Sequence, residues 1–109
     1  MESKIEINGI EISFKKEGTG PDIIFLHGIF ASKEIMNPLF NHYKDKYHVI
    51  SYDLRGHGES GKPEKFNLDN HADDLAAIVN YFNLKKPIVI GLSMGSYVAL
   101  KTAEKYPDI

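Results

Sequence analysis

The 109-residue sequence has no cysteine. That absence excludes disulfides, thiolate metal sites and a cysteine nucleophile together, and it fits a reducing, cytoplasmic setting. No apolar run is long enough to cross a bilayer. The start, Met1-Glu2-Ser3-Lys4, leads into alternation rather than a continuous apolar stretch, so no signal peptide is expected. Charge of one sign is lacking as well. Thirteen Lys and Arg stand against fifteen Asp and Glu, for a net charge of −2, which gives no electrostatic reason to expect nucleic acid or an anionic membrane as partner. Internal repeats, low-complexity tracts and interdomain linkers are also missing. What remains is an ordinary globular composition, 42% hydrophobic and 26% charged, sufficient for one domain with a modest core.

The pattern changes once along the chain. Ile5 and Ile7 alternate with polar residues, Asn8-Gly9 follows, and Ile10, Ile12 and Phe14 alternate again. Two period-two segments joined by Asn-Gly predict a tight β-hairpin, because both central residues of such a turn need positive φ. After Gly18-Thr19-Gly20-Pro21 the rhythm becomes buried strand, glycine loop, helix. Asp22 to His27 scarcely alternates, as expected of a strand covered on both faces. Ile35, Leu39 and Tyr43, with Met36 and Phe40 beside them, have helical spacing. Tyr47 to Tyr52 reads as a second such strand, and a glycine- and proline-rich loop runs from Gly56 to Pro63. Ala72, Leu75, Ile78, Val79 and Phe82 form the apolar stripe of a helix from about Leu68 to Phe82. Pro87 to Ile90 is a third buried strand, and Met94 to Tyr106 a last helix ended by Pro107. This order implies a mixed, mostly parallel sheet with an antiparallel hairpin at its start and helices on both faces. Functional groups then gather in the loops at the carboxyl ends of the strands.

Gly91-Leu92-Ser93-Met94-Gly95 fits G-x-S-x-G, with a buried strand before it and an amphipathic helix after it. A direct turn from strand into helix strains the central serine and lifts its hydroxyl above the sheet. Side chains two residues to either side would collide across that turn, which calls for Gly91 and Gly95. The helix amino terminus lies beneath the serine and favours negative charge on a substrate oxygen. The competing reading, a serine that merely caps a helix, suits an isolated pentapeptide better than this context.

Ile88 to Ser96 resembles the nucleophile elbow of the α/β-hydrolase superfamily. Phe25-Leu26-His27-Gly28 is similar to the oxyanion loop of its esterase, prolyl aminopeptidase and haloperoxidase-like branch, and Tyr52 to Ser60 to that branch's D-x-R-G-H-G-x-S loop. The resemblance runs from about residue 5 to the end. It implies that Ser93 is the nucleophile and that the backbone N–H groups of Met94 and Ile29 hold the oxyanion, each donor being worth about 2.7–4 kcal/mol of barrier. Gly28 lets the chain approach the site. His27, at the end of its strand, reads as a loop-fixing residue rather than a base. Ile29-Phe30 departs from H-G-G and H-G-x-P, which leaves the substrate open; Phe30 is a candidate for the acyl pocket or for the core.

Other features have plainer readings. Gly56 to Gly61 matches G-x-G-x-x-G, but Lys62-Pro63-Glu64-Lys65 interrupts any following helix and no acidic residue ends a second strand about twenty residues on, so a dinucleotide is not expected. The resemblance makes Asp53 and Arg55 scaffold residues that bond to backbone and neighbouring loops, rather than acid and anion clamp. His42, His48 and His71 lack metal-ligand spacing and read as solvated. Asp73-Asp74 reads as charge favourable to a helix start. No cofactor and no metal are expected.

A serine hydroxyl needs a histidine to take its proton and a carboxylate to orient that histidine. In this fold both follow the serine, and the residues after Ser93 leave no room for them. Residues 1–109 are therefore expected to be the amino-terminal part of a single, truncated α/β-hydrolase domain, inactive alone. The Pro87–Ile90 strand becomes an edge that invites a second polypeptide or self-association. Hydrolysis of a carboxylic ester, thioester, amide or related bond through an acyl-serine is the leading function. Acyl transfer or perhydrolysis, or a non-catalytic remnant, are the alternatives.

Overall fold

The computed structural model describes residues 2–109; Met1, included in the expected domain range, lies outside them. Strands β1 (Glu2–Ile7) and β2 (Ile10–Glu17) are followed by β3 (Asp22–Leu26), a 3-10 turn (Lys33–Met36), α1 (Asn37–Tyr43), β4 (His48–Tyr52), α2 (Leu68–Tyr81), β5 (Ile88–Gly91) and α3 (Met94–Lys105). The turn between β1 and β2 has the anticipated backbone, with φ of 50° at Asn8 and 83° at Gly9. It sets Ile7 opposite Ile10 and Ile5 opposite Ile12.

The five strands form one mixed sheet in the order β1-β2-β4-β3-β5. The hairpin joins β4 antiparallel through β2, and β4, β3 and β5 run parallel. Leu26 pairs with Tyr52 on one side and Gly91 on the other. By this register the three parallel strands end in one row and deliver their loops to one place.

Alternate strand residues supply two cores. On one face Ile24, Leu26, Ile50 and Tyr52 meet Leu75, Ile78 and Val79 of α2, Val98 of α3 and the hairpin's Ile7, Ile12 and Phe14. On the other, Ile23, Phe25 and Val49 meet Met36 and Phe40. The second core corrects the expected stripe on the first helix. Ile35 and Leu39 are 53% and 40% exposed, whereas Met36 and Phe40 are buried. A separate 3-10 turn precedes the helix, which begins at Asn37 with Pro38 in its first turn, and this sets the Met36–Phe40 face against the sheet. At α2 the expected span holds to within one residue. Its start is fixed by a reciprocal pair of bonds between Asn67 and Asn70 that satisfies free N–H groups of the first turn. β5 lies at an edge of the sheet, with Ile88 52% exposed, and is not covered as β3 and β4 are. Among the described residues no helix is long and apolar enough to cross a membrane.

Two buried ionic groups tie the loops down. Arg55 donates through Nε at 2.7 Å and Nη2 at 2.9 Å to the carboxylate of Asp74. Asp74 is thus a buried partner rather than the helix-start charge expected of it, while Asp73 pairs at the surface with Lys105. Lys33 is fully buried, with its ammonium 3.0 Å from Glu2, 3.1 Å from Asp53, 3.3 Å from Glu34 and 3.6 Å from Glu59. Burial alone would lower its pKa; the carboxylates of Glu2, Asp53 and Glu34 more than offset that and hold it above the ordinary lysine value.

Candidate active site

The β5–α3 turn is tighter than side chains allow. A Cβ placed on Gly91 would lie 2.3 Å from the backbone of Gly95, and one on Gly95 would lie 2.4 Å from the Leu26 carbonyl oxygen. The collision expected between the two ends of the turn therefore applies to Gly91, while Gly95 is constrained by the end of β3. The Leu92 N–H donates to the same Leu26 carbonyl at 3.0 Å. Between the glycines Ser93 takes φ 56° and ψ −117°, a combination that ordinary residues rarely hold. Its side chain is exposed and makes no capping hydrogen bond to α3, so the helix-cap reading is set aside.

The β3 loop closes on this serine. A Cβ on Gly28 would stand 3.2 Å from Ser93 Cβ and 3.8 Å from Ser93 Oγ. Ile29 and Met94 both line a cavity of about 300 Å³, together with Phe30, Ala31, Gly56, His57, Gly58 and Phe66. Among the described residues the backbone N–H groups of Ile29 and Met94 have no acceptor. The two residues that carry these unspent donors thus wall one hollow, and Gly28 of the same loop as Ile29 lies against Ser93. Phe30 is 93% exposed with φ 60°. That excludes the core reading and leaves its place on the cavity wall.

The second loop is scaffold. Asp53 accepts from the Lys33 N–H at 2.6 Å and from the Glu59 N–H at 2.9 Å, and Ser60 Oγ donates to the Asp53 carbonyl at 2.6 Å. Gly58, with φ 52°, has no room for a Cβ, which would lie 2.3 Å from the Asp53 carboxylate. Neither Asp53 nor Arg55 lines the cavity.

Among the described residues no histidine is hydrogen-bonded to Ser93. His27 Nδ1 lies 2.7 Å from the Gly28 carbonyl oxygen, and its Nε2 is 3.0 Å from the Leu54 N–H. Nδ1 of His57 lies 3.0 Å from the Arg55 carbonyl oxygen. His48 bonds to Asp22 at 2.8 Å, so it is tied down rather than merely solvated, while His42 stays exposed on α1. His71 departs from expectation. It is only 3% exposed, because Phe66 and His57 of the long loop fold over the first turn of α2, with ring centroids 5.4 and 6.2 Å from its own. Phe66 also lines the cavity, and no motif in the sequence marks it. Only its place just before the Asn67 cap hints that it packs over that turn.

A family model for the alpha/beta hydrolase fold matches residues 21–109. The chain belongs to the α/β-hydrolase fold family. Across 107 residues it is 33% identical to 2-(acetamidomethylene)succinate hydrolase of Mesorhizobium japonicum, a match that covers 97% of this chain and 38% of that protein. It superposes with a TM-score of 0.94, at 32% identity, on the crystal structure of E-2-(acetamidomethylene)succinate hydrolase, covering 99% of this chain and 41% of that one. A thermophilic esterase from Thermogutta terrifontis superposes with a TM-score of 0.90 at 36% identity, covering 99% of this chain and 42% of that one. The α/β-hydrolase chain thus spans about two fifths of the length of these relatives.

This geometry sets the response to two substitutions. Gly95→Ala should lower the unfolding free energy by about 2 kcal/mol or more, read by urea denaturation, because its Cβ meets strand backbone that cannot step aside. The second substitution concerns pH. Burial, with His57, Arg55 and His27 adding to it, pushes the His71 imidazole down to about 4. Between an ordinary histidine pKa of about 6.5 and that value, the unfolded chain binds a proton that the folded one refuses. Stability is therefore full above the unfolded pKa and falls as pH drops towards the folded one. His71→Phe should flatten that fall by at most about 3 kcal/mol, measured by denaturation at a series of pH values.

Proposed function

We propose that this chain carries the nucleophile of a serine hydrolase acting on carboxylic esters, thioesters, amides or related bonds through an acyl-serine intermediate. The observation that supports this most strongly is the strained backbone of Ser93, φ 56° and ψ −117°, which presents an exposed hydroxyl beside the free N–H groups of Ile29 and Met94. In this reading Ser93 Oγ attacks the substrate carbonyl carbon, and the carbonyl oxygen gains negative charge between those two N–H groups and the amino terminus of α3. The serine proton passes to a histidine supplied by polypeptide beyond the residues described, itself oriented by a carboxylate. Collapse of the tetrahedral species expels the alcohol, thiol or amine, which takes that proton back. Water then releases the acyl group by the same steps in reverse. Phe30 walls the acyl side of the cavity. Substrate is a small ester-like molecule, no cofactor enters the reaction, and a cytoplasmic setting accompanies it.

The missing polypeptide is part of the proposal. The match to 38% of the Mesorhizobium protein's length supports it. So do the half-exposed β5 edge and an open groove of about 480 Å³ between α2 and α3, walled by Leu75, Val79, Val89, Leu100 and Ile109. Residues 1–109 fused at Ile109 to the carboxyl-terminal remainder of the Mesorhizobium hydrolase provide the test. A fluorophosphonate probe should label Ser93 of the fusion, with labelling abolished in Ser93→Ala and absent from the 109-residue chain alone. A folded fusion that resists the probe, or a Ser93→Ala fusion that still reacts, contradicts the proposal. Product analysis with water against an added alcohol or peroxide separates hydrolysis from acyl transfer and perhydrolysis.

A further inference from the structure

His27 makes two hydrogen bonds that only one form of its ring can satisfy. The Leu54 N–H points at Nε2 from 3.0 Å, so Nε2 must bear a lone pair. The Gly28 carbonyl oxygen lies 2.7 Å from Nδ1, so Nδ1 must bear the hydrogen. The opposite tautomer would set two donors against each other at Leu54 and two lone pairs against each other at Gly28. His27 is fully buried, so no water relieves such a clash. Its ring is therefore neutral and carries its hydrogen on Nδ1.

The acceptor of that hydrogen belongs to the peptide unit joining Gly28 to Ile29. In a trans peptide the carbonyl oxygen and the N–H point in opposite directions. The Gly28 oxygen takes the His27 Nδ1–H and, at 3.2 Å, the Ala31 N–H. The Ile29 N–H is thereby turned the other way, and it has no acceptor among the described residues.

We propose that His27, as its neutral Nδ1–H tautomer, is a positioning residue that sets the Gly28–Ile29 peptide and so aims the Ile29 N–H at the site, and that gain of a proton at Nε2 releases this latch. The inference rests on the reading of Ile29 as an oxyanion donor. A proton on Nε2 faces the Leu54 N–H, removes that N–H's acceptor and forces the ring away from Leu54. Nδ1 keeps its hydrogen and its bond to the Gly28 oxygen, so the displaced ring carries the Gly28–Ile29 peptide with it. The ionisable groups facing His27 come from two segments: Asp53 and His57 on the loop after β4, and Glu34 in the 3-10 turn. Burial disfavours the imidazolium, and His57, 5.1 Å away between ring centroids, opposes it as well. The hydrogen bond to the Gly28 carbonyl favours it most, followed by Asp53 and Glu34, though Asp53 is already paired with Lys33. The balance holds His27 below the usual histidine range, so the latch is shut at neutral pH and opens only on the acid side. A completed enzyme would then have an acid limit of its own at the oxyanion donor, separate from that of the general base.

The test is nuclear magnetic resonance of the uniformly labelled 109-residue chain. Long-range proton–nitrogen correlations should show His27 as the Nδ1–H tautomer at neutral pH. On acidification the Gly28 carbonyl carbon and the Ile29 amide should shift with the same midpoint as the His27 ring, below the ordinary histidine value of 6.5. His27→Asn keeps an N–H near the place of Nδ1 but cannot titrate, so the Ile29 amide should stay at its neutral-pH position throughout. An Nε2–H tautomer in the wild type, an Ile29 amide indifferent to the protonation of His27, or a titration that persists in His27→Asn would overturn the proposal. If His27→Asn does not fold, the first two readings decide alone. None of them depends on Ser93 reacting, so failure of the nucleophile reading and failure of the latch are seen in different experiments.

Discussion

The arrangement depends on one close approach of backbone to backbone. The first turn of α3 is pressed against the end of β3 until Gly95 has 2.4 Å between a would-be Cβ and the Leu26 carbonyl oxygen. That oxygen also receives the Leu92 N–H, so strand, turn and helix are locked to a neighbouring strand within four residues. The chain can make this reversal only by forcing the residue at its apex into positive φ. A glycine there would be comfortable; a serine is not. The strain, of order 1–3 kcal/mol for a residue of this kind, is sustained because β3 and β4 on one side and α2 on the other over-determine the position of the turn.

The rest of the site derives from the strand register. Since Leu26, Tyr52 and Gly91 stand in one row, the loops leaving β3, β4 and β5 emerge side by side, and the first and third bracket Ser93. The middle loop lends Gly56, His57, Gly58 and Phe66 to the cavity wall. It is pinned from beneath by Asp53, which collects the Lys33 and Glu59 N–H groups, and by the Arg55–Asp74 pair. Buried ion pairs contribute little net stability compared with apolar packing, so their use here is geometric: they hold irregular backbone still. His27 links this pinned loop to the β3 loop, with one nitrogen on each. The path from the ionic scaffold to the Gly28–Ile29 peptide is then a short series of hydrogen bonds.

Much of this is legible in the sequence, and the parts that are not share a cause. The hairpin can be read because Asn8-Gly9 specifies its turn locally. The elbow can be read because Gly91, Ser93 and Gly95 are dictated by backbone sterics within five residues. Which face of α1 is buried cannot be read: Ile35–Leu39 and Met36–Phe40 are both apolar pairs four residues apart, and only the placement of the helix by Pro38 and the sheet decides between them. His71 and Asp74 look like surface residues of α2 because their cover, Phe66, His57 and Arg55, comes from a loop whose path no local pattern records. Lys33 is the extreme case, a fully buried lysine met by four carboxylates from β1, its own 3-10 turn and the loop after β4. Pairings between segments distant in sequence leave no periodic trace.

The central claim is that Ser93 is held in a backbone conformation its own side chain resists, and comparing two substitutions in equilibrium denaturation measures this directly. Ser93→Ala removes the hydroxyl and keeps the strain, whereas Ser93→Gly removes both. In a relaxed position glycine would be the less stable of the two by about 0.5–1 kcal/mol, through its greater freedom in the unfolded chain. With φ at 56° the order should reverse, with Ser93→Gly the more stable by about 1 kcal/mol or more. A glycine variant no more stable than the alanine variant would show that position 93 is at ease, and the account of the site would fail with it.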